Sequence, residues 1–254
     1  MTYVKRRAPP IPGSISAALG SFTAEVRFYR EIAPVINVRV PHCYEAAEGP
    51  SGTFLVLEDL TDWVPGGKPP AVAEALRLLH DNWEGRAEQR WPWLRPVGAA
   101  IDLVAALYDG TWPRIAELPE MSDRVRACGH RLCGRVPDTE RQLARIPSRT
   151  LIHGDASLNN IRSAETGEVA FVDWEDVSCA PGVSDLAWLL VSSVSPEDWR
   201  DTCDAYGPAP HLVDAMPAAL VQGFLSLADF AGDAASRIGW IRRIEAGVGV
   251  VRDC

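Results

Sequence analysis

The feature that most constrains this chain is the run His153-Gly154-Asp155-Ala-Ser-Leu-Asn-Asn160-Ile161, followed by Val172-Asp173-Trp174-Glu175-Asp176. Thr150-Leu-Ile152 before it reads as a short strand, so His153 and Asp155 open a loop. From Ile161 the pattern is a hairpin, with Glu165-Thr-Gly-Glu168 as the turn and Val169-Ala-Phe-Val172 as the returning strand, which ends on Asp173. Such a path brings the side-chain oxygens of Asp155, Asn160 and Asp173 to one mouth. Carboxylate and amide oxygens are hard ligands that suit Mg²⁺ carried on phosphates, and a carboxylate left off the metal can accept a proton from a hydroxyl. The spacing points to phosphoryl transfer.

A single loop Asp is ordinarily a turn or cap residue. Here four constraints agree: HxDxxxxN, an Asp thirteen positions after the Asn, a hairpin between them, and the tail Pro181-Gly182-Val-Ser-Asp185-Leu-Ala-Trp-Leu-Leu190. Together they resemble the catalytic loop and metal-binding Asp of kinase-like phosphotransferases. The Gly after His153 and the GxxDLA tail resemble the aminoglycoside phosphotransferase and choline kinase branch rather than the protein kinases. The resemblance implies that Asp155 orients or deprotonates an acceptor hydroxyl, with His153 shaping the loop. It also implies that Asn160 and Asp173 hold Mg²⁺ against nucleotide phosphates, and that Asp185, opening an apolar helix, braces the loop from below. Glu175 and Asp176 either line the acceptor pocket or form an acidic pair on a solvated loop.

The front of the chain extends the resemblance. Thr2-Tyr-Val4 reads as a strand end with Lys5 pointing out of it, and Pro9 to Gly20 as a connection. A helix follows over residues 21–32, with Ser21 or Thr23 as cap, Val26, Tyr29 and Ile32 as apolar face, and Pro34 as stop. Residues 37–47 are strand-like, Glu48-Gly-Pro-Ser-Gly52 is a turn, and Thr53–Leu57 is a buried strand running into Glu58-Asp59-Leu60. This resembles a kinase-like small lobe. It implies that Lys5 grips the nucleotide's phosphates, that Glu25 pairs with it, and that Glu58, Asp59 and Leu60 form the hinge meeting the adenine edge.

The chain departs from the family pattern at its start. Two strands and a Gly-rich phosphate-covering loop ordinarily precede that lysine, whereas four residues precede Lys5, and Gly13 and Gly20 come after it. A start placed too late, a trimmed small lobe, and a form that no longer binds nucleotide productively are the competing expectations. Backbone amides over the phosphates ordinarily supply electrostatic stabilisation, so a partner protein covering the nucleotide side is a further one.

Beyond the hinge the chain reads as helical over residues 70–80, 97–108, 121–136, 185–194, 197–206, 213–232 and 238–244, with Pro113, Pro119, Pro137 and Pro147 at boundaries. His80 is expected to be structural. Of the nine Trp, Trp91 and Trp93 are candidate acceptor-pocket walls or core. Trp112 is expected on a loop of that region, and Trp63, Trp83, Trp188, Trp199 and Trp240 as core.

With 254 residues, 47% hydrophobic and 23% charged, the chain can bury a real core. A net charge of −9 argues against a nucleic-acid partner and suits a cationic acceptor. The start carries basic residues but no apolar segment of a secretory signal, and no apolar run is long enough to span a bilayer. Six scattered Cys suggest reduced thiols in a cytoplasmic setting, and Cys128 and Cys133 lack a second ligand pair for zinc.

The expected fold is α+β, bilobal and protein-kinase-like, with a small abridged nucleotide-binding lobe over residues 1–60 and a mainly helical lobe over 61–254. The expected reaction moves the γ-phosphoryl of ATP or GTP to a hydroxyl of a small molecule such as an aminoglycoside, another sugar or an amino alcohol. The alternatives are a Ser/Thr kinase acting on a peptide with a partner protein, and a pseudokinase-like binding module.

Overall fold

The computed structural model describes residues 1–229 and 233–251. Its first sheet is antiparallel, with β1 (Thr2–Arg7), β2 (Cys43–Gly49) and β3 (Gly52–Glu58) in the order β1-β3-β2. Lys5 sits within β1 opposite Leu55 rather than beyond its end, so the strand holds the ammonium at a fixed height. The β2–β3 hairpin turns at Pro50-Ser51 and closes on Gly52 at φ 112. A Cβ there would fall 1.9 Å from the Arg7 carbonyl oxygen, so β1 can approach only a glycine.

The expected connection from Pro9 to Gly20 contains a short helix, α1 (Ile15–Leu19), capped by the Ser14 hydroxyl accepting from the Ala17 N–H. Gly20, at φ 61, ends α1 and opens α2 (Ser21–Arg27), so neither Ser21 nor Thr23 serves as the cap. α2 continues as one π-helical turn, Phe28–Ile32. Of the strand-like stretch 37–47, residues 37–42 form only an isolated bridge, Arg39 to Ala170.

The larger part begins with β4 (Val64–Pro65), then α3 (Pro69–Trp83), α4 (Ala87–Arg90), β5 (Arg95–Pro96), α5 (Ile101–Ala116), α6 (Asp123–Leu132) and α7 (Val136–Ala144). Two expectations fail here. Trp112 and Pro113 lie inside α5 rather than on a loop, because the Trp112 ring is buried against Tyr108 and Phe224. That burial outweighs the one backbone hydrogen bond a proline removes. The expected helix over residues 121–136 is divided in two, since Gly134 takes φ 67 and Pro137 starts α7.

Two small sheets then frame the loop singled out in the sequence. β6 (Thr150–Ile152), β7 (Ile161–Ser163), β8 (Val169–Phe171) and β9 (Ser178–Ala180) pair in the orders β4-β7-β8 and β5-β9-β6. The hairpin of β7 and β8 is the one read from residues 161–172. Behind it pack α8 (Val183–Ser193), α9 (Trp199–Tyr206), α10 (Leu212–Asp229) and α11 (Ala234–Val250). α10 is long and apolar enough to cross a membrane by composition alone, but Met216, Leu220, Phe224 and Leu227 on it are fully buried against the protein.

The two parts meet on an aromatic stack. Phe28, from the π-turn after α2, lies over Trp174 with ring centroids 4.1 Å apart and planes 7° from parallel. Trp174 is wholly buried and donates its indole N–H to the Phe171 carbonyl. Trp174→Ala should cost about 3–5 kcal/mol of folding stability, as truncation of a buried aromatic does. Urea denaturation followed by circular dichroism checks this, and a loss below 1 kcal/mol would mean the two parts do not depend on that stack.

Candidate active site

The loop after β6 is shaped by one buried carboxylate. Asp185, in the first turn of α8, accepts from the backbone N–H of His153 at 2.8 Å and of Gly154 at 2.9 Å. It also meets His80 Nε2 at 3.2 Å, while His80 Nδ1 lies 2.9 Å from the Tyr206 hydroxyl. Burial by itself would lift the Asp185 carboxyl. The hydrogen bonds it accepts from His80 and from the His153 backbone N–H nonetheless hold it below the usual carboxylate range. Gly154 takes φ 86, and a Cβ on it would stand 2.1 Å from the Asp176 carbonyl oxygen, which explains the Gly between His153 and Asp155.

His153 is fully buried, with its ring against Phe171 and Trp174. Its Nε2 lies 3.0 Å from the Val172 carbonyl, and its Nδ1 accepts from the Asp155 N–H at 3.2 Å. A carbonyl can only accept and a backbone N–H only donate, so the ring proton sits on Nε2 and His153 is tied into the loop by both nitrogens.

Asp155 is held from both sides. Trp188 Nε1 donates to Oδ1 at 2.5 Å, and Asn160 Nδ2 donates to Oδ2 at 2.8 Å and to the backbone carbonyl at 3.0 Å. The Asn160 amide nitrogen is thereby committed, which leaves its carbamoyl oxygen available as an acceptor. Asp173, after β8, is the only described non-glycine residue with positive φ, at 64°. That strained backbone aims its carboxylate toward the first sheet. Lys5 Nζ stands 2.6 Å from Asp173 Oδ1 and 2.7 Å from a Glu25 oxygen. Burial alone would lower the Lys5 ammonium, but the two carboxylates raise it.

Arg7 completes this ionic cluster, 3.1 Å from Glu175 and 3.9 Å from Asp173. Carboxylate oxygens of Glu25, Asp173 and Glu175 all lie within 4.8 Å of one another. Burial and the neighbouring Asp173 push the Glu175 carboxyl up to about 7.

Lys5, Glu25, Glu58, Asp59, Leu60, Asn160 and Asp173 line one cleft of about 780 Å³ beneath the first sheet, together with Trp63 and Arg162. Glu58 is fixed there by Arg39 at 2.5 Å and the His42 N–H at 3.0 Å. A second cavity, of about 340 Å³, lies against Gly154, Asp176, Asp185 and Trp188. Glu175 joins the cluster of Lys5 and Arg7 and does not line that cavity, whereas Asp176 does, paired with Arg95 at 3.2 Å. Trp91 is buried on Trp83 with ring centroids 4.6 Å apart, and Trp93 donates to Glu31 and lies under Arg27. Neither of these two Trp lines the cavity.

Sequence reading missed Arg7, Arg95 and the second role of Trp188. Trp188 lies one helical turn after Asp185, so both face the loop, and that spacing was the available signal. Asp185→Asn replaces an acceptor with an amide whose N–H₂ would confront two backbone N–H groups. Stability should fall by about 1–3 kcal/mol, and amide exchange at residues 153–154 should accelerate. Unchanged protection there would mean that the loop holds its shape without Asp185.

The chain matches the profile of the phosphotransferase enzyme family over residues 2–219. No curated protein matches it significantly by the same kind of search. Among solved structures it is similar to aminoglycoside phosphotransferase APH(3'')-Id from Streptomyces rimosus, determined with ADP and streptomycin. Identity there is 19%, the TM-score is 0.60, and 88% of this chain and 86% of that one are covered. Spectinomycin phosphotransferase APH(9)-Ia, determined with ADP and spectinomycin, aligns at 10% identity and TM-score 0.56, covering 98% and 85%. Choline kinase LicA from Streptococcus pneumoniae aligns at 14% identity and TM-score 0.55, also covering 98% and 85%. The matched stretch takes in the first sheet, the loop after β6 and the helices through α9 and the start of α10, and on that ground the chain belongs to the phosphotransferase enzyme family and has its two-lobed, kinase-like α+β fold.

Proposed function

We propose that this enzyme transfers the γ-phosphoryl group of ATP or GTP to a hydroxyl of a small molecule. Residues 1–60 would serve as the nucleotide lobe and residues 61–254 would carry the acceptor pocket. The observation that carries this reading is that the two side chains holding Asp155 border different cavities. Asn160 lines the charged cleft with Lys5 and Asp173, and Trp188 lines the cavity beside Gly154 and Asp176.

In the reaction the acceptor oxygen bonds to the γ-phosphorus as the bond to the β–γ bridging oxygen breaks, releasing ADP. The hydroxyl proton passes to Asp155 and then to solvent. Asp155 needs no other partner for this, since its two hydrogen bonds orient it and leave further lone pairs free. Lys5, held by Glu25, stands ready to meet the phosphates. Glu58, Asp59 and Leu60 border the same cleft where an adenine or guanine edge would lie.

The residues fit Mg²⁺. The carboxylate of Asp173 and the carbamoyl oxygen of Asn160 are hard oxygen donors, and Asp173 already carries a cation, the Lys5 ammonium. Mg²⁺ held by these two would neutralise charge on the phosphates.

Asp155→Ala should cut acceptor-dependent ADP release by roughly 10²–10⁴-fold, and near-normal turnover would sink its role as base. Asp173→Ala should abolish Mg²⁺-dependent nucleotide binding in calorimetry, and an unaltered titration would count against it as ligand. Trp188→Phe keeps the ring but deletes the hydrogen bond to Asp155. The hydrogen bond is one to a charged group, so kcat should fall about tenfold or more, with the KM for nucleotide unchanged.

A further inference from the structure

The cavity behind the catalytic loop has a chemistry that the chain's overall acidity conceals. Its walls are hydrocarbon: Ile101 and Val104 of α5, Leu143 of α7, Ile152 of β6, and Ala219 and Leu225 of α10. α1, the helix unexpected from sequence, closes it with Ile15 and Leu19. At about 340 Å³ it lies within the range of ligand pockets, roughly 300–1,000 Å³.

Three carboxylates border this cavity, and two of them are already engaged. Asp176 is paired with the Arg95 guanidinium at 3.2 Å. Asp185 is consumed by His80 and the backbone N–H groups of His153 and Gly154. Glu140 is left, and burial raises its carboxyl, so the neutral form is favoured relative to an exposed Glu. A compound with several ammonium or guanidinium groups would lose its hydration here and gain at most one partner, in a cavity that already contains Arg95. Burying unpaired charge is heavily unfavourable.

Two buried polar atoms on the walls have no partner within the protein: the Ser184 hydroxyl and Arg95 Nε. The guanidinium N–H can only donate, and the hydroxyl can donate as well. Buried donors are nearly always satisfied in folded proteins, and both atoms belong to residues that line the cavity, so an oxygen acceptor on whatever fills it would supply the missing partner once these side chains shift toward it.

Resting on the phosphotransfer reading above, we propose that the acceptor is an uncharged, largely hydrocarbon alcohol. It would carry at least one further carbonyl or ether oxygen, placed to accept from Ser184 and Arg95. Its hydroxyl faces Asp155 past Gly154 and Trp188, while its body fills the space between α1, α5, α7 and α10. Polycationic amino sugars and quaternary amino alcohols are then poor acceptors, despite the net charge of −9.

The test uses the full chain and separates binding from chemistry. A panel of neutral terpenoid alcohols, each with and without a second oxygen (borneol and its 5-keto derivative as one pair), is titrated by calorimetry beside streptomycin and choline. The same compounds are then assayed for ADP release with MgATP. Keto-alcohols are expected to bind at least tenfold more tightly than streptomycin or choline. Ser184→Ala should erase most of the keto advantage. Ala218→Phe, which fills the cavity from its rim, should weaken every neutral alcohol at least tenfold and leave ADP binding unchanged. Equal or tighter binding of streptomycin or choline overturns the proposal, and so does a panel in which no neutral alcohol binds. Keto-alcohols that bind in the cavity but never drive ADP release would leave the ligand class standing and count against the hydroxyl-transfer reading. ADP release driven by streptomycin or choline alone would do the reverse.

Discussion

Asp185 is the contact on which the site depends. A chain leaving β6 into a tight loop exposes backbone N–H groups to a dry interior, and an unmatched one costs free energy on the order of a lost hydrogen bond. Asp185 satisfies two of them at once. The first turn of α8 suits the charge, because the helix dipole favours an anion there. His80 of α3 and, through it, Tyr206 of α9 complete the arrangement, so three helices and the catalytic loop share one carboxylate. The loop's shape is therefore set by the larger part of the molecule, before any ligand arrives.

The other side of the site is set by charge rather than packing. Lys5 and Arg7, two residues apart on β1 and so on one face of the strand, meet Glu25, Asp173 and Glu175. Two cations against three carboxylates leave one more acid than base, and the Glu175 carboxyl is pushed up to about 7 by burial first and by the neighbouring Asp173 second. A divalent cation bringing phosphates would meet a surplus of acid, while the phosphates would meet Lys5 and Arg7. The ion pairs now joining β1 to the loops are thus drawn from the same groups that a metal-bound nucleotide would need. The low solvent exposure of the Lys5–Glu25 pair makes it the one most sensitive to the loss of a partner.

Much of this was legible in the sequence because the informative residues are close together. The β6 strand, the β7–β8 hairpin and the start of α8 all follow from local turn chemistry and alternation, and the spacing of Asp155, Asn160 and Asp173 needs only that hairpin. Lys5 with Glu25 was harder, since they meet across separate elements and only the order of strand, helix and strand suggested it. What stayed hidden depends on tertiary context. Pro113 inside α5 violates helix propensity for the sake of Trp112, and Trp91 disappears beneath Trp83. Arg95 reaches Asp176 from a two-residue strand that no periodicity announces.

Trp188 joins the two halves of the argument. Its indole N–H holds Asp155, and the residue is part of the wall of the apolar cavity. A water-filled cavity would place a competing hydrogen-bond partner beside that contact. An occupant of hydrocarbon removes the water and strengthens the bond, because electrostatic interactions gain as the local dielectric falls. Filling the pocket and orienting the carboxylate are then one event. If Asp155 takes the acceptor's proton as proposed, an empty cavity would leave it less firmly placed for that transfer.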